Sequence, residues 1–125
     1  MGWNVDPQGF GVVFAQAIPA FAQKNLRPAM DTMLAAQNLE VADIDRFICH
    51  PGGTKVIEAL ELSLGIGQGG LDHERAVLAD HGNMSAPTAL FVLDRARRAG
   101  LPERSALTAM GPGFTASTVT LRRAA

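Results

Sequence analysis

Residues 46–53 read RFICHPGG, a short apolar run that ends at a histidine and continues into Pro51-Gly52-Gly53. An apolar run of this length that stops at proline and glycine predicts a buried strand entering a tight turn. The next residues, 54–64, carry apolar side chains at helical spacing, with Glu58 and Glu61 on the opposite face. Because a strand followed at once by a helix is the building unit of α/β domains, this stretch predicts an α/β fold.

The segments on either side continue the alternation of strands and helices. We predict a helix over about residues 18–37, which Pro19 and Pro28 should divide into a short and a longer part, because proline interrupts helical hydrogen bonding. Ser85 is a good N-cap candidate for the last helix, and Pro87 suits its first turn. The remaining predicted elements are strands over residues 9–14, 106–110 and 116–121 and a short helix over residues 73–81. The order, in outline βαβαββ, is again typical of an α/β domain.

Composition and charge limit the classes of protein to which this chain can belong. Its 125 residues are 47% hydrophobic and 18% charged, which is typical of one globular domain. The formal net charge of −1 gives no indication of a nucleic-acid or membrane-surface partner. No apolar run is long enough to predict a transmembrane helix, and the first residues lack the pattern of a signal peptide.

The single cysteine, Cys49, excludes an internal disulfide and favours a reducing compartment, so we expect a cytoplasmic protein. Adjacent residues on a strand point to opposite faces, so the thiol of Cys49 cannot meet the imidazole of His50. Cys49 shares its face with Phe47, and we interpret it as a small buried hydrophobe rather than a nucleophile.

Two local patterns match known binding motifs but lack the required context. Residues 65–70, GIGQGG, fit the GxGxxG fingerprint of dinucleotide sites, yet they follow a predicted helix instead of a strand, so we interpret them as a flexible surface loop. A nearby group of acids and histidines lacks the ligand spacing of zinc sites, so we interpret its members as solvated helix residues and predict no metal. The group consists of Asp72, His73, Glu74, Asp80 and His81.

Three other positions follow predicted elements and could form a site. His50 ends a buried strand, where ligands of α/β sheets bind, and its imidazole can serve as an acid, a base or an oxyanion donor. Asn83 precedes a helix N-terminus, where its amide can stabilise an anion. Gly111-Pro112-Gly113 can let a ligand approach the backbone closely. Each also has a structural interpretation: a histidine that caps backbone, a turn asparagine and a hairpin turn.

Taken together, these motifs resemble one family. His50-Pro51-Gly52-Gly53, then Gly82-Asn83-Met84-Ser85, then Gly111-Pro112-Gly113-Phe114 are similar in order and spacing to the C-terminal part of type III polyketide synthases, the chalcone and stilbene synthase family of the thiolase fold. The similarity includes the helix ALFVLDRARRAG at residues 89–100 and covers residues 1–125 as one C-terminal domain. It implies a mixed sheet flanked by helices, which forms part of a five-layer αβαβα sandwich in the complete, usually dimeric enzyme.

The resemblance also implies an activity and roles for single residues. Enzymes of this family load an acyl group from acyl-CoA onto a cysteine, decarboxylate malonyl-CoA and join the two units. His50 would stabilise the thiolate and bind the thioester oxygen, and Asn83 would stabilise the enolate. The implied substrate-binding positions are Gly52, Gly53 and Lys55 near the CoA arm, Ser85 near the cyclisation pocket, and Gly111, Pro112 and Gly113 at its floor. Lys55 equally suits a solvated helix surface, and Ala109-Met110 replace the Gly-Phe of the family pattern, which leaves the shape of the pocket open.

The resemblance further implies that one catalytic group lies outside this chain. The nucleophilic cysteine and most basic CoA-binding residues of the family lie in an N-terminal half that residues 1–125 do not contain. We therefore expect a fragment that is inactive alone, with the N-terminal half, acyl-CoA, malonyl-CoA and a second copy as its partners, and with no cofactor. Two alternatives stay open: a condensing enzyme like ketoacyl-ACP synthase III, and a non-catalytic thiolase-like association module.

Overall fold

The computed structural model describes residues 2–13, 18–111 and 115–124. Within these ranges the chain forms five strands and four α-helices in the order ββαβαααββ. The strands are β1 (Gly2–Asp6), β2 (Gly9–Val13), β3 (Arg46–Cys49), β4 (Arg104–Gly111) and β5 (Thr115–Arg122). The helices are α1 (Ile18–Ala35), α2 (Thr54–Leu64), α3 (Asp72–His81) and α4 (Pro87–Ala99). None of the helices in the described ranges is both long and apolar enough to cross a membrane.

Strands β3, β4 and β5 form a mixed sheet in that order, which confirms the predicted α/β fold. β3 runs parallel to β4, and β4 runs antiparallel to β5. β1 and β2 form a separate antiparallel hairpin, in which Val5 lies opposite Phe10. The strand predicted at residues 9–14 therefore belongs to this hairpin, and its last residue, Phe14, lies outside the described residues.

The sheet lies between two groups of helices, because successive residues of β3 point to opposite faces. Phe47 and Cys49 pack in a cluster with residues of α1 and α2, whereas Ile48 packs with Val92 and Ala96 of α4. Cys49 is a free, completely buried cysteine, and burial raises the pKa of its thiol well above the usual range. The interpretation of Cys49 as a small hydrophobe is confirmed.

Helix α1 is continuous, so the predicted division at Pro19 and Pro28 is wrong. Pro19 lies in the first turn, where a missing N–H leaves no helical hydrogen bond unmade. Pro28 lies on the exposed side, where water can reach the carbonyl group that loses its partner. The opposite side buries Ala22, Leu26, Met30 and Leu34. Burial of three such long side chains contributes several kcal/mol, more than the ~3 kcal/mol that an internal proline costs.

Helix α2 begins and ends where the sequence predicts, and it buries its apolar face. Glu58 is exposed as expected, but the prediction that Glu61 faces solvent is wrong, because Glu61 is only 2% exposed. The Arg75 guanidinium donates two hydrogen bonds to the Glu61 carboxylate, at 2.6 and 3.0 Å. A buried charge is tolerated when it is paired in this way.

The glycine-rich segment at residues 65–70 connects two helices, as interpreted from the sequence. Gly65 ends α2 in the left-handed conformation, with φ 70°. The amides of Gly69 and Leu71 donate to Glu61 Oε1 at 3.0 and 3.1 Å. A dinucleotide fingerprint follows a strand, so this loop does not have the context of a nucleotide site.

Pro87 lies in the first turn of helix α4 as predicted, but the predicted N-cap role of Ser85 is wrong. Ala86 occupies the N-cap position, and Ser85 has a left-handed backbone with φ 65°. The buried hydroxyl of Thr88 instead bonds the backbone before the helix: it donates to the Ser85 carbonyl at 2.7 Å and accepts from the Met84 amide at 2.8 Å. A side chain in the first turn of α4 therefore holds the segment that leads into the helix.

Candidate active site

His50 follows the last residue of β3, at the carboxyl end of the parallel strand pair. Its amide donates to the Thr108 carbonyl of β4 at 3.1 Å. The side chain is half-buried, and its Nδ1 atom is buried without a hydrogen-bond partner among the described residues. Burial lowers the pKa of His50 below the usual value, because the charged imidazolium loses hydration. The imidazole is therefore mainly neutral at neutral pH and is able both to donate and to accept a proton.

A small cavity of about 10 Å³ lies beside His50. That volume holds about one water molecule and no acyl chain. Two of its lining residues, Ala109 and Met110, are those that replace the Gly-Phe of the family pattern, so this difference lies next to the histidine. The other lining residues are Leu26, Cys49, Leu60 and Thr108.

Asn83, in the loop between α3 and α4, reaches the turn that follows His50. Its Nδ2 atom donates to the Gly52 carbonyl at 3.1 Å, and its Oδ1 atom accepts from the Ser85 amide at 2.9 Å. The side chains of Asn83 and Ser85 are both exposed. The structure thus brings Asn83 to the Pro-Gly-Gly turn, with Ser85 beside it, and both the nitrogen and the oxygen of the asparagine amide are hydrogen-bonded.

The glycines of the turn directly precede helix α2, and Gly53 is its N-cap residue. The Gly52 amide donates to the His50 carbonyl at 3.1 Å, and the Gly53 carbonyl accepts the first hydrogen bonds of α2. Gly53 has an extended backbone with φ 161°, and a Cβ atom there would meet nothing within 4 Å. Neither conformation nor packing within the described residues requires glycine at this position. Lys55 is exposed in the first turn of α2.

The third predicted motif lies only partly within the described ranges. Gly111 is the last residue of β4 and lies opposite Thr115 of β5. β4 also carries Thr108, whose carbonyl oxygen accepts a hydrogen bond from the His50 amide. Gly111 therefore lies on the strand next to the histidine. Pro112 and Gly113, predicted at the floor of the pocket, lie outside the described residues.

Nearly the whole chain matches one known protein family. Residues 3–125 match the family model of chalcone and stilbene synthases, C-terminal domain. The chain belongs to the chalcone and stilbene synthase family. This finding confirms the family resemblance and the thiolase-like fold that the motifs predict.

Similar proteins in this synthase family are much longer than the chain. A 1,3,6,8-tetrahydroxynaphthalene synthase of Streptomyces peucetius subsp. caesius is 38% identical over 125 residues, which cover 98% of this chain and 33% of that protein. The crystal structure of PKS-I from the brown alga Ectocarpus siliculosus matches with a TM-score of 0.89 and 26% identity over 98% of this chain and 35% of that one. The crystal structure of the 1,3,6,8-tetrahydroxynaphthalene synthase from Streptomyces coelicolor A3(2) matches with a TM-score of 0.88 and 26% identity, and the match covers 99% of this chain and 36% of that one. The chain spans about a third of the length of these relatives.

The sequence did not predict that Glu74 forms a hydrogen bond with the backbone of β3. Glu74 of α3 has no exposed surface, and its Oε1 atom accepts from the Cys49 amide at 2.8 Å. The sequence pattern favours Glu74 and Asp72 as solvated helix residues, which is wrong for the buried Glu74. Both acids lie against Arg46, and the described residues contain no group of three metal-ligating side chains. The available signal was the place of both acids in the first turn of a helix, where carboxylates are favoured.

Proposed function

We propose that this chain is the part of a type III polyketide synthase that contributes His50 and Asn83 to the condensation site. The observation that carries the proposal is the hydrogen bond from Asn83 to Gly52, which joins the asparagine loop to the turn after the histidine. Membership of the family supports it, because both motifs lie inside the matched residues 3–125. The nucleophilic cysteine belongs to another part of the enzyme, since Cys49 is buried and its thiol resists ionisation.

His50 serves the first half of the proposed reaction. The cysteine thiol transfers its proton to the neutral imidazole, and the thiolate that forms attacks the carbonyl carbon of an acyl-CoA. The CoA thiolate leaves, and the acyl group stays on the cysteine. A histidine whose pKa is lowered by burial suits this step, because it starts without a proton.

Asn83 serves the second half of the proposed reaction. In malonyl-CoA, the electron pair of the bond to the carboxylate becomes an enolate, and carbon dioxide leaves. An N–H of the Asn83 side chain donates to the enolate oxygen and stabilises the charge. The enolate carbon then bonds to the acyl carbonyl, and the cysteine thiolate leaves. All the electrons come from the two thioesters, so the proposal includes no metal or redox cofactor.

The proposal extends to the substrate-binding positions around these two residues. The open space at Gly53 suits the approach of the CoA arm, and Lys55 lies within the same turn of α2. Ser85 is held beside Asn83, and Gly111 is assigned to the floor of the active site from the family resemblance alone. We also propose, from the family resemblance, a homodimeric enzyme that works in the cytoplasm.

The test combines this chain with the N-terminal part of the synthase and measures release of carbon dioxide from malonyl-CoA. We expect activity only in the mixture, and we expect His50→Ala and Asn83→Ala each to lower it roughly 100-fold or more, as loss of a charge-stabilising donor does. Glu58→Gln, an exposed substitution on α2, is the control and should leave the rate unchanged. Full activity in both alanine variants would contradict the proposal and favour a non-catalytic association module.

A further inference from the structure

We infer that Glu74 is a positioning residue for His50: its buried carboxylate replaces a neighbouring strand along the outer edge of β3 and fixes the backbone from which the imidazole extends. The inference rests on the proposed function of His50. Glu74 itself touches no substrate in this scheme and acts through the position of the histidine.

The argument begins with the free edge of β3. Within the described sheet, β3 is hydrogen-bonded to a strand on one side only, and that strand is β4. An edge strand leaves alternate amides without partners, and a buried amide needs one. The Cys49 amide finds its partner in Glu74 Oε1 at 2.8 Å, whereas the next amide, that of His50, donates to Thr108 on the β4 side. The amides of Cys49 and His50 are therefore hydrogen-bonded on opposite sides of the strand.

The carboxylate is itself held in place. The Arg46 guanidinium Nη2 lies 3.9 Å from Glu74 Oε2 and 2.6 Å from Asp72 Oδ1. Arg46 is the first residue of β3 and Cys49 the last, so the first turn of α3 contacts both ends of the strand. The strand that leads into His50 is therefore held at both ends by this turn.

Only one of the two oxygens of this carboxylate stabilises the fold through a hydrogen bond, the one that Glu74 Oε1 accepts from the Cys49 amide. Glu74 Oε2 is buried without a hydrogen-bond partner among the described residues, which destabilises the charged form. Apolar side chains often replace buried charges without loss of stability. The feature that an apolar side chain cannot reproduce is the hydrogen bond to the Cys49 amide, one residue before His50.

The test compares Glu74→Met with Glu74→Gln in the mixture of this chain and the N-terminal part of the synthase. Met fills a similar volume without an acceptor, so we expect kcat for decarboxylation of malonyl-CoA to fall about ten- to 100-fold with KM little changed. Gln keeps an oxygen that can accept from Cys49, so we expect it to retain activity within about threefold. Glu58→Gln again serves as the control. Equal activity of the Met and Gln variants would overturn the inference.

A second measurement follows the imidazole of His50 directly, by NMR titration of the 125-residue chain. In Glu74→Met the ring should be released from its buried position and the His50 pKa should rise toward the usual value, whereas Glu74→Gln should leave it in place. Apart from His50 itself, Cys49 is the one titratable residue that lines the cavity. Cys49 is present in both variants, so it cannot cause a difference between their titrations. An unchanged His50 pKa in a folded Glu74→Met variant would also overturn the inference.

The controls keep this inference separate from the proposed function. If His50→Ala leaves decarboxylation intact, the proposed function fails, whatever the Glu74 variants do. If His50→Ala abolishes it and Glu74→Met does not lower it, only the inference about Glu74 fails. Should Glu74→Met not fold, Glu74→Asp carries the same test, because its shorter side chain keeps the charge and loses the reach to the Cys49 amide.

Discussion

Two glycines of the chain have different physical reasons to be glycine. At Gly70 a Cβ atom would lie 2.2 Å from Ile66 Cγ2 and 2.9 Å from the Gly67 carbonyl oxygen, so packing excludes a side chain. At Gly53 a Cβ atom would meet nothing within 4 Å, and the backbone is extended. The fold explains the first glycine, whereas the proposed approach of the CoA arm to the turn after His50 would explain the second.

This difference predicts opposite outcomes for two substitutions. Gly53→Ser should leave the free energy of unfolding unchanged or slightly raised, because serine is at least as good an N-cap as glycine, and should raise the KM for acyl-CoA several-fold in the complete enzyme. Gly70→Ala should destabilise the chain by about 1–3 kcal/mol, the usual cost of a forced contact. Urea unfolding and steady-state kinetics measure the two effects. An unchanged KM in Gly53→Ser would remove the argument that a ligand occupies this space.

At the scale of elements, local pattern predicted those helices and strands whose ends depend on nearby residues. Helix α2 matches its predicted range because its apolar spacing and its flanking glycines are local signals. The continuity of α1 through Pro28 and the burial of Glu61 were not predictable, because both depend on partners distant in sequence. The same limit applies to the site: His50 and Asn83 were each recognisable, but local pattern alone did not predict that Asn83 reaches Gly52.

The contact between α3 and β3 predicts a pH dependence of stability. Burial raises the pKa of Glu74 from the usual 4.5 to about 7, despite the hydrogen bond from Cys49 and the nearby Arg46. The folded chain therefore retains a proton that the unfolded chain has released between those values, so stability falls as the pH rises through this window, by roughly 3 kcal/mol in all. Glu74→Gln should lack this loss and should gain stability relative to the unmodified chain as the pH rises from about 4.5 to about 7.

Urea unfolding at several pH values measures this difference. Glu61→Gln is the contrasting variant: burial raises the Glu61 pKa, but hydrogen bonds from Arg75 and two amides outweigh it and leave the pKa low. The stabilisation from Glu61 is therefore present above the unfolded-state pKa and is lost as the pH falls through the folded-state pKa. An unchanged pH slope in Glu74→Gln would contradict the assigned burial of this carboxylate.

At the scale of the whole molecule, the first two turns of helix α4 have apolar side chains on two sides, whereas its last turns carry the ion-paired Asp94, Arg97 and Arg98. Val92 and Ala96 pack toward the sheet, whereas Leu90 is 59% and Phe91 44% exposed on the other side. Apolar side chains on both sides are typical of a helix segment that lies between two layers of structure. Because the chain spans about a third of its relatives, we expect the outer side of α4 to be covered by the N-terminal part of the synthase.

This expectation predicts how the isolated chain behaves in solution. The chain alone should bind an apolar dye such as ANS or self-associate on size exclusion, and addition of the N-terminal part should suppress both effects, because the two exposed side chains become buried. Leu90→Gln with Phe91→Gln should lower dye binding by the chain alone and also weaken its association with the N-terminal part, whereas Leu62→Gln, on α2, should not weaken that association. A monomer that binds no dye would place the contact elsewhere on the molecule. Association that survives the double substitution would do the same, since in that case α4 would not be the helix that joins the two parts of the enzyme.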